Sequence, residues 1–179
     1  MNTNLFETAK DYAFSKHDKP SDCQRYGNLP YSTHLEAVLS NAERYMYYID
    51  ADKQDIVRCA CLLHDTIEDT DTSPSDLEKI FNHEIADIVL RVSNERGWDR
   101  KEKNFKTYPK IWVSDFAIFV KLCDRIANTY NSKITGHRLF STYRGEYPTF
   151  RYALKVRGLY PDMWDELDKL NDYYGIDKI

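Results

Sequence analysis

Apolar residues recur at three- and four-residue steps along almost all of this chain, and that spacing commits it to helices. In HLEAVLSNAERYMYYI, residues Leu35, Val38, Leu39, Ala42, Tyr45, Met46 and Ile49 form one stripe. In DKQDIVRCACLLHDTIED the apolar face is Ile56, Cys59, Ala60, Leu63 and Ile67, with Asp52 as cap and Asp55 three residues on. SPSDLEKIF offers Ser73 as N-cap, Pro74 at the first helical position and Asp76 in the first turn, where its charge meets the helix dipole. HEIADIVLRVSN turns Ile85, Ile88, Val89 and Val92 inward, and SDFAIFVKLCDRIANTYNSK is a second strongly apolar helix. Between them ERGWDRKEKNFKTYPK is polar and basic, broken by Gly97 and Pro109, and reads as a loop with one helix inside. The tail, YPTFRYALKVRGLYPDMWDELDKLNDYYG, reads as two helices with Pro148 and Pro161 near their starts and Gly175 as a stop. No alternating strand pattern, repeat or linker interrupts the helices. The expected fold is all-α, a single helical bundle over residues 1–179.

Composition narrows the function. The net charge of −4 argues against broad binding to nucleic acid, which needs a basic surface. It leaves room for a small anion in a local basic pocket. No apolar run reaches the ~20 residues that span a bilayer, and MNTNLFETAKDYAF lacks the basic start and apolar core of a signal peptide. Of four cysteines, Cys59, Cys61 and Cys123 lie in apolar stretches, and Cys59 and Cys61 are too close for a zinc knuckle. Buried free thiols, and hence a reducing cytoplasm, are expected.

The chemistry concentrates in CLLHDTIEDTD, where His64, Asp65, Glu68, Asp69 and Asp71 crowd behind an apolar run. On a helix His64 and Glu68 stack four apart, as do Asp65 and Asp69, so all four can border one cleft. Such a cluster at a partly buried helix end is costly unless a cation neutralises it. Two other stretches can complete a metal site. LPYSTHLEAV puts His34 near a helix start, and FVKLCDRIANTY puts Asp124 mid-helix, with Asn128 four residues on. Pairing of Asp124 with Lys121 or Arg125 is expected to be weak at those helix offsets. The inferred ligands are His34, His64, Asp65 and Asp124. Mixed nitrogen and oxygen ligation suits Mn, Fe, Mg or Zn, and Mn²⁺ is the expected ion.

A separated His, an adjacent His-Asp and a distant Asp resemble the ligand pattern of the HD-domain phosphohydrolase superfamily. The likeness is nearest to alarmone hydrolases: the (p)ppGpp hydrolase domain of Rel/SpoT-type enzymes and the small stand-alone hydrolases. HDTIEDTD resembles their HDxxED motif, GNLPYSTH their G-x-P-Y-x-x-H segment and VKLCDRIANT their V-K-L-A-D-R-x-x-N segment, in order over roughly residues 10–155. Leu35 stands where the family usually has Pro, and KHDKPSDCQRYGN holds only Lys16, Lys19 and Arg25 in a segment usually richer in cations.

The resemblance implies an HD-domain bundle that hydrolyses the 3′-pyrophosphate of guanosine tetra- or pentaphosphate with one divalent metal. It implies that Glu68 and Asp69 orient and deprotonate the water, and that Asn128 positions substrate. Arg25, with Arg96, Lys101 or Arg144, would pair with phosphates, and Tyr31 or Tyr147 would pack on ribose or base. The partner is then a small phosphorylated nucleotide, with no nucleic acid and no membrane. The motifs leave two alternatives: the same site acting on another nucleotide or nucleotide-cofactor phosphate, and a regulatory HD binding module. A lost ligand or a lost Glu-Asp pair would mark the latter, and neither is lost.

Overall fold

Helices follow one another as the apolar spacing requires. In this computed structural model the described residues are 5–19, 24–155 and 158–174; Cys23 and Gly175 lie outside them. The order is α1 (Leu5–His17), β1 (Arg25–Tyr26), β2 (Leu29–Pro30), α2 (Ser32–Arg44), a 3₁₀ turn (Met46–Tyr48), α3 (Gln54–Leu63), α4 (Thr66–Asp69), α5 (Pro74–Ile80), α6 (His83–Val92), α7 (Arg100–Trp112), α8 (Asp115–Ile134), α9 (Leu139–Leu154) and α10 (Pro161–Leu170). The fold is all-α, apart from one antiparallel hairpin of two-residue strands, Arg25 opposite Pro30 and Tyr26 opposite Leu29.

The 20-residue α8 is the hub. Ser114 caps it by accepting the amide of Ala117, and twelve of its residues are buried, too many for one amphipathic stripe. It packs on α2, α3, α6, α7, α9 and α10, so a polar residue on it is surrounded by other elements. The core gathers Leu35 and Val38 from α2, Leu62 and Leu63 from α3, Ile85 and Val89 from α6, and Trp164 from α10 around Phe119 and Leu122.

Local signals explain most boundaries. Ser73 forms a capping box with Asp76, with Pro74 at the first position of α5. Asn82 caps α6 by accepting the amide of Ile85 at 2.8 Å. The α3 start differs from expectation: its N-cap is Lys53, without a side-chain cap bond, rather than Asp52. ERGWDRKEKNFKTYPK is mostly helix, because Asp99 accepts the amide of Glu102 at 2.8 Å and begins α7. Pro109 and Pro148 both lie inside helices, so Pro148 is not near a helix start. The carbonyls that lose a partner there belong to Phe105 and Arg144, both at the surface, where water can replace the bond. The hairpin also escaped the sequence reading, since two-residue strands carry no period; its turn uses Gly27 at φ 64°, a conformation that costs glycine nothing.

If α8 is the hub, Phe119 is a sharp probe. It is fully buried, its ring edge-to-face with Tyr160 at 5.3 Å. Phe119→Ala should cost about 3–5 kcal/mol, read as a lower midpoint in chemical denaturation. An unchanged midpoint would contradict a central role for this helix.

Candidate metal centre and active-site cleft

Three helical elements deliver four side chains to one buried point. α2 contributes His34, the end of α3 His64 and Asp65, and α8 Asp124. His34 and His64 are 1% and 2% exposed and Asp124 6%, a burial that carboxylates and imidazoles tolerate only when paired. The two Nε2 atoms are 3.3 Å apart. Asp124 Oδ1 is 3.4 Å from His34 Nε2 and 3.8 Å from His64 Nε2. Asp65 Oδ2 is 2.9 Å from His64 Nε2 and 3.6 Å from His34 Nε2.

The chain achieves this by interrupting the helix expected to run from His64 to Asp69. His64 Nδ1 bonds the Cys61 carbonyl at 2.9 Å, and the Thr66 hydroxyl donates to the Leu63 carbonyl at 2.7 Å. These side-chain bonds compete with the backbone ladder, so α3 ends at Leu63 and α4 begins at Thr66. Adjacent residues, which would point about 100° apart on an unbroken helix, now converge. The Cys61 carbonyl fixes the proton of His64 on Nδ1, so that in the neutral imidazole the Nε2 lone pair faces the cluster.

Those donors suit a divalent ion. His34, His64 and Asp124 offer ligand atoms all within 4.8 Å of one another. Donors sharing one ion at ~2.1 Å stand about 3.0–3.4 Å apart, the separation seen between the imidazoles. Without an ion, protons do the neutralising. Burial opposes charge on His34, but Asp124 and Asp65 outweigh it and raise its pKa to about 9. His64 is raised in the same way, chiefly by Asp65 against the cost of burial. Burial resists ionisation of Asp65 and Asp124, yet the imidazoles, with Lys121 beside Asp124, hold both below the usual carboxylate range.

Lys121 corrects the expectation that Asp124 lacks a helix partner. Its Nζ is 2.9 Å from Asp124 Oδ2, because residues three apart share a face. Asn128 Nδ2 donates to Asp124 Oδ1 at 2.5 Å, and the Tyr31 hydroxyl donates to Asp65 Oδ2. Tyr31 in turn stacks on His17, the rings 4.8 Å apart.

The cluster lies at the wall of a cleft of about 930 Å³. Of the residues expected to act on water or substrate, Arg25, Tyr31, Glu68, Asp69 and Asn128 line it. Both Glu68 oxygens are occupied, one by the Asn94 amide at 3.0 Å and the other by Asn94 Nδ2 at 2.9 Å. Asp69 is solvent-accessible on one side, but local desolvation and the charges of Asp65 and Glu68 push it up to about 6. Arg96 lines an adjoining groove that shares Glu68 and Asn94.

Three expected substrate contacts are not brought to the cleft. Lys101 and Arg144 are exposed and absent from its wall. Tyr147 is a core residue, 1% exposed, its hydroxyl on Asp168 at 2.5 Å. Its neighbour Tyr143 lines the cleft instead. Sequence reasoning also missed Asn94, Lys121, Arg100 and Arg125. Only Lys121 carried a readable signal, its three-residue offset from Asp124.

Fold and centre together define a class: an all-helical protein with a buried histidine–aspartate site suited to a divalent metal. Residues 31–129, more than half of the chain, match the HD domain, and the chain belongs to that family. HD domains are metal-dependent. Among curated proteins, it is 32% identical over 127 residues to a guanosine-3′,5′-bis(diphosphate) 3′-pyrophosphohydrolase of Aquifex aeolicus (strain VF5), covering 68% of this chain and 17% of that one. It is 34% identical over 73 residues to the pyrophosphohydrolase MESH1 of Drosophila melanogaster, covering 40% of this chain and 41% of that one. The matched part is thus about two fifths of these relatives' length or less. A solved structure described as a metazoan ortholog of SpoT that hydrolyzes ppGpp aligns over 98% of both chains, with a TM-score of 0.78 at 23% identity, and so shares the fold.

The pKa directions set a pH test. A histidine raised above its unfolded value of about 6.5 stabilises the apoprotein fully below that pH, and the contribution disappears as pH rises through the folded value. Metal-free protein should therefore lose stability from about pH 6.5 to about 9. A bound ion requires neutral imidazoles, so metal affinity should rise over the same window. Thermal melts with and without metal across this range would check both signs. Metal affinity that is flat in pH would contradict the assignment of the imidazoles.

Proposed function

We propose that residues 1–179 form one HD unit that removes the 3′-pyrophosphate of guanosine tetra- or pentaphosphate, with His34, His64, Asp65 and Asp124 holding one divalent ion, Mn²⁺. The observation that carries this reading is the convergence of those four groups at one buried point, whose Asp65 and Asp124 share a cleft wall with the Glu68–Asp69 pair. The names of the matched relatives and the three motifs support the substrate. A bound ion there would draw charge from a phosphate oxygen and make a nearby water more acidic.

The chain's own groups then divide the work. Asp69, raised to about 6, is ionised at neutral pH and basic enough to accept the proton of the attacking water. Glu68, with both oxygens on Asn94, orients that water. The water attacks the phosphorus on the 3′ oxygen, that P–O bond breaks, and pyrophosphate leaves a 3′ hydroxyl. Arg25 pairs with substrate phosphate, Asn128 holds Asp124 and positions substrate beside it, and Tyr31 fixes Asp65. Arg96 reaches substrate only through the adjoining groove. We also assign the protein to the cytoplasm, on the strength of the buried free thiols Cys59, Cys61 and Cys123. No helix of the described residues is long and apolar enough to cross a membrane.

Incubation with Mn²⁺ and guanosine tetraphosphate, followed by phosphorus NMR, should show pyrophosphate and GDP as first products. Initial orthophosphate, or no reaction beside brisk cleavage of a nucleotide monoester, would reject the alarmone reading in favour of another nucleotide. His64→Ala and Asp124→Ala should lose metal and activity together, and full metal occupancy in both by elemental analysis would refute the ligand set. Asp69→Asn should keep metal and lose about 10²–10⁴-fold in kcat, with a smaller loss for Glu68→Gln. In the wild type, kcat should fall as pH drops below about 6 and Asp69 takes up its proton.

A further inference from the structure

His17, the last residue of α1, is fully buried and takes no part in the steps assigned to the other site residues. Neither it nor Gln24 lines the cleft; both stand behind the wall. The His17 ring lies on Tyr31, 4.8 Å between centroids and 26° between planes, and the Tyr31 hydroxyl donates to Asp65. A second arm runs to the acidic pair. His17 Nδ1 bonds Oε1 of Gln24, and the Gln24 backbone amide returns a bond to the His17 carbonyl at 3.1 Å. Gln24 Nε2 then donates to the main-chain carbonyl of Asp69 at 3.3 Å. With its nitrogen turned to a carbonyl, Gln24 offers His17 an acceptor, so the imidazole proton sits on Nδ1. His17 Nε2 is left buried with no hydrogen-bond partner among the described residues. An apolar ring would fill the same space without that cost, so packing alone does not account for a histidine here.

Asp69 sits where an outside brace is needed. α4 is a single turn, closed by Asp69 N on Asp65 O at 2.9 Å and Thr70 N on Thr66 O at 3.2 Å. So short a helix does not support itself, and its last carbonyls have no partner within it. The chain leaves it at once, Thr70 being extended with φ −132°. Gln24 takes up the Asp69 carbonyl at this break, much as Asn94 takes up the Glu68 carboxylate. Tyr12 and Lys16 of α1 also reach this segment, but at Thr72 and Asp71, beyond Asp69.

We propose that His17 is a positioning residue that keeps Asp69 in register with the metal centre, through Gln24 on one side and Tyr31 on the other. This rests on the reading of Asp69 as the base in alarmone hydrolysis. The two arms are separable, because one is a ring stack and the other a hydrogen bond. The stack bears on Asp65 and hence on the ion; the hydrogen bond bears on Asp69 and hence on turnover.

The test reads Mn²⁺ affinity, from the EPR signal of the free ion, beside kcat and KM on guanosine tetraphosphate. His17→Phe keeps a flat ring against Tyr31 and cuts the bond to Gln24. Its kcat should fall about tenfold, with KM and Mn²⁺ affinity within about twofold of wild type. His17→Ala removes both arms and should also weaken Mn²⁺ binding about tenfold. Gln24→Met, which replaces the amide by an apolar chain of similar shape, should reproduce His17→Phe. The double variant His17→Phe/Gln24→Met should be no slower than the slower single one, since both cut the same arm. Unchanged kcat in His17→Phe and Gln24→Met, or fully additive losses in the double variant, overturns the inference. So does a raised KM at constant kcat, which would put the arm behind Arg25 instead of Asp69. If His17→Ala does not fold, His17→Phe and Gln24→Met decide the matter through the kcat and KM split. Equal Mn²⁺ affinity in folded His17→Phe and His17→Ala refutes the Tyr31 arm without any substrate, whereas a wild type that binds Mn²⁺ but cleaves no guanosine tetraphosphate overturns the alarmone reading.

Discussion

Two carboxylates and two imidazoles face one another across α2, the α3–α4 junction and α8, and the architecture is organised around keeping them there. Unpaired, a buried carboxylate is costly, and removing one partner of such a pair leaves the other stranded. Each of these four has company: Tyr31 on Asp65, Asn128 and Lys121 on Asp124, the Cys61 carbonyl on His64, and the carboxylates on His34. An ion, or protons in its place, closes the circuit. This requirement explains why α8 is buried on so many sides. A helix carrying Asp124 to the centre must be wrapped by apolar neighbours, or the carboxylate would relax into water.

The same principle, applied farther along the cleft, has the opposite consequence. At the candidate metal centre the spare ligand capacity points inward, at a place where a cation fits. Around Glu146 the capacity is spent within the protein. Burial opposes ionisation of Glu146, but Arg100 and Arg125 more than offset it and keep the carboxyl below its ordinary range. Its contribution to stability is therefore present above about pH 4.3 and lost as pH falls through the folded value. The ion pairs join α7, α8 and α9 at the cleft's edge and so hold its wall together. The acidic pair is split in a related way, with Glu68 bound by Asn94 and Asp69 left basic.

Much of this was legible along the chain. The three- and four-residue spacing specified helices, and Ser73, Pro74 and Asp76 marked the start of α5. The residues His34, His64, Asp65 and Asp124 stood out because they are polar groups at the edges of apolar runs, an anomaly that needs a partner. Other features left no trace. A two-residue strand has no period, and Pro148 inside a helix looks identical, in sequence, to a proline at a helix start. The helix break at His64–Asp65 comes from side chains that bond carbonyls three residues back, a choice that composition does not announce.

The sequence by itself therefore determined the helical class and the identity of the four groups that meet, because periodicity and anomalous polarity are local properties. The tertiary structure alone decided which charges remain available. Whether Arg25 or Arg100 is free, whether Tyr143 or Tyr147 faces the cleft, and whether Lys121 supports Asp124 depend on which helices pack side by side. An arginine reads the same in sequence whether its partner is a substrate phosphate or a glutamate on a neighbouring helix, since Coulomb attraction depends on distance in space and not along the chain.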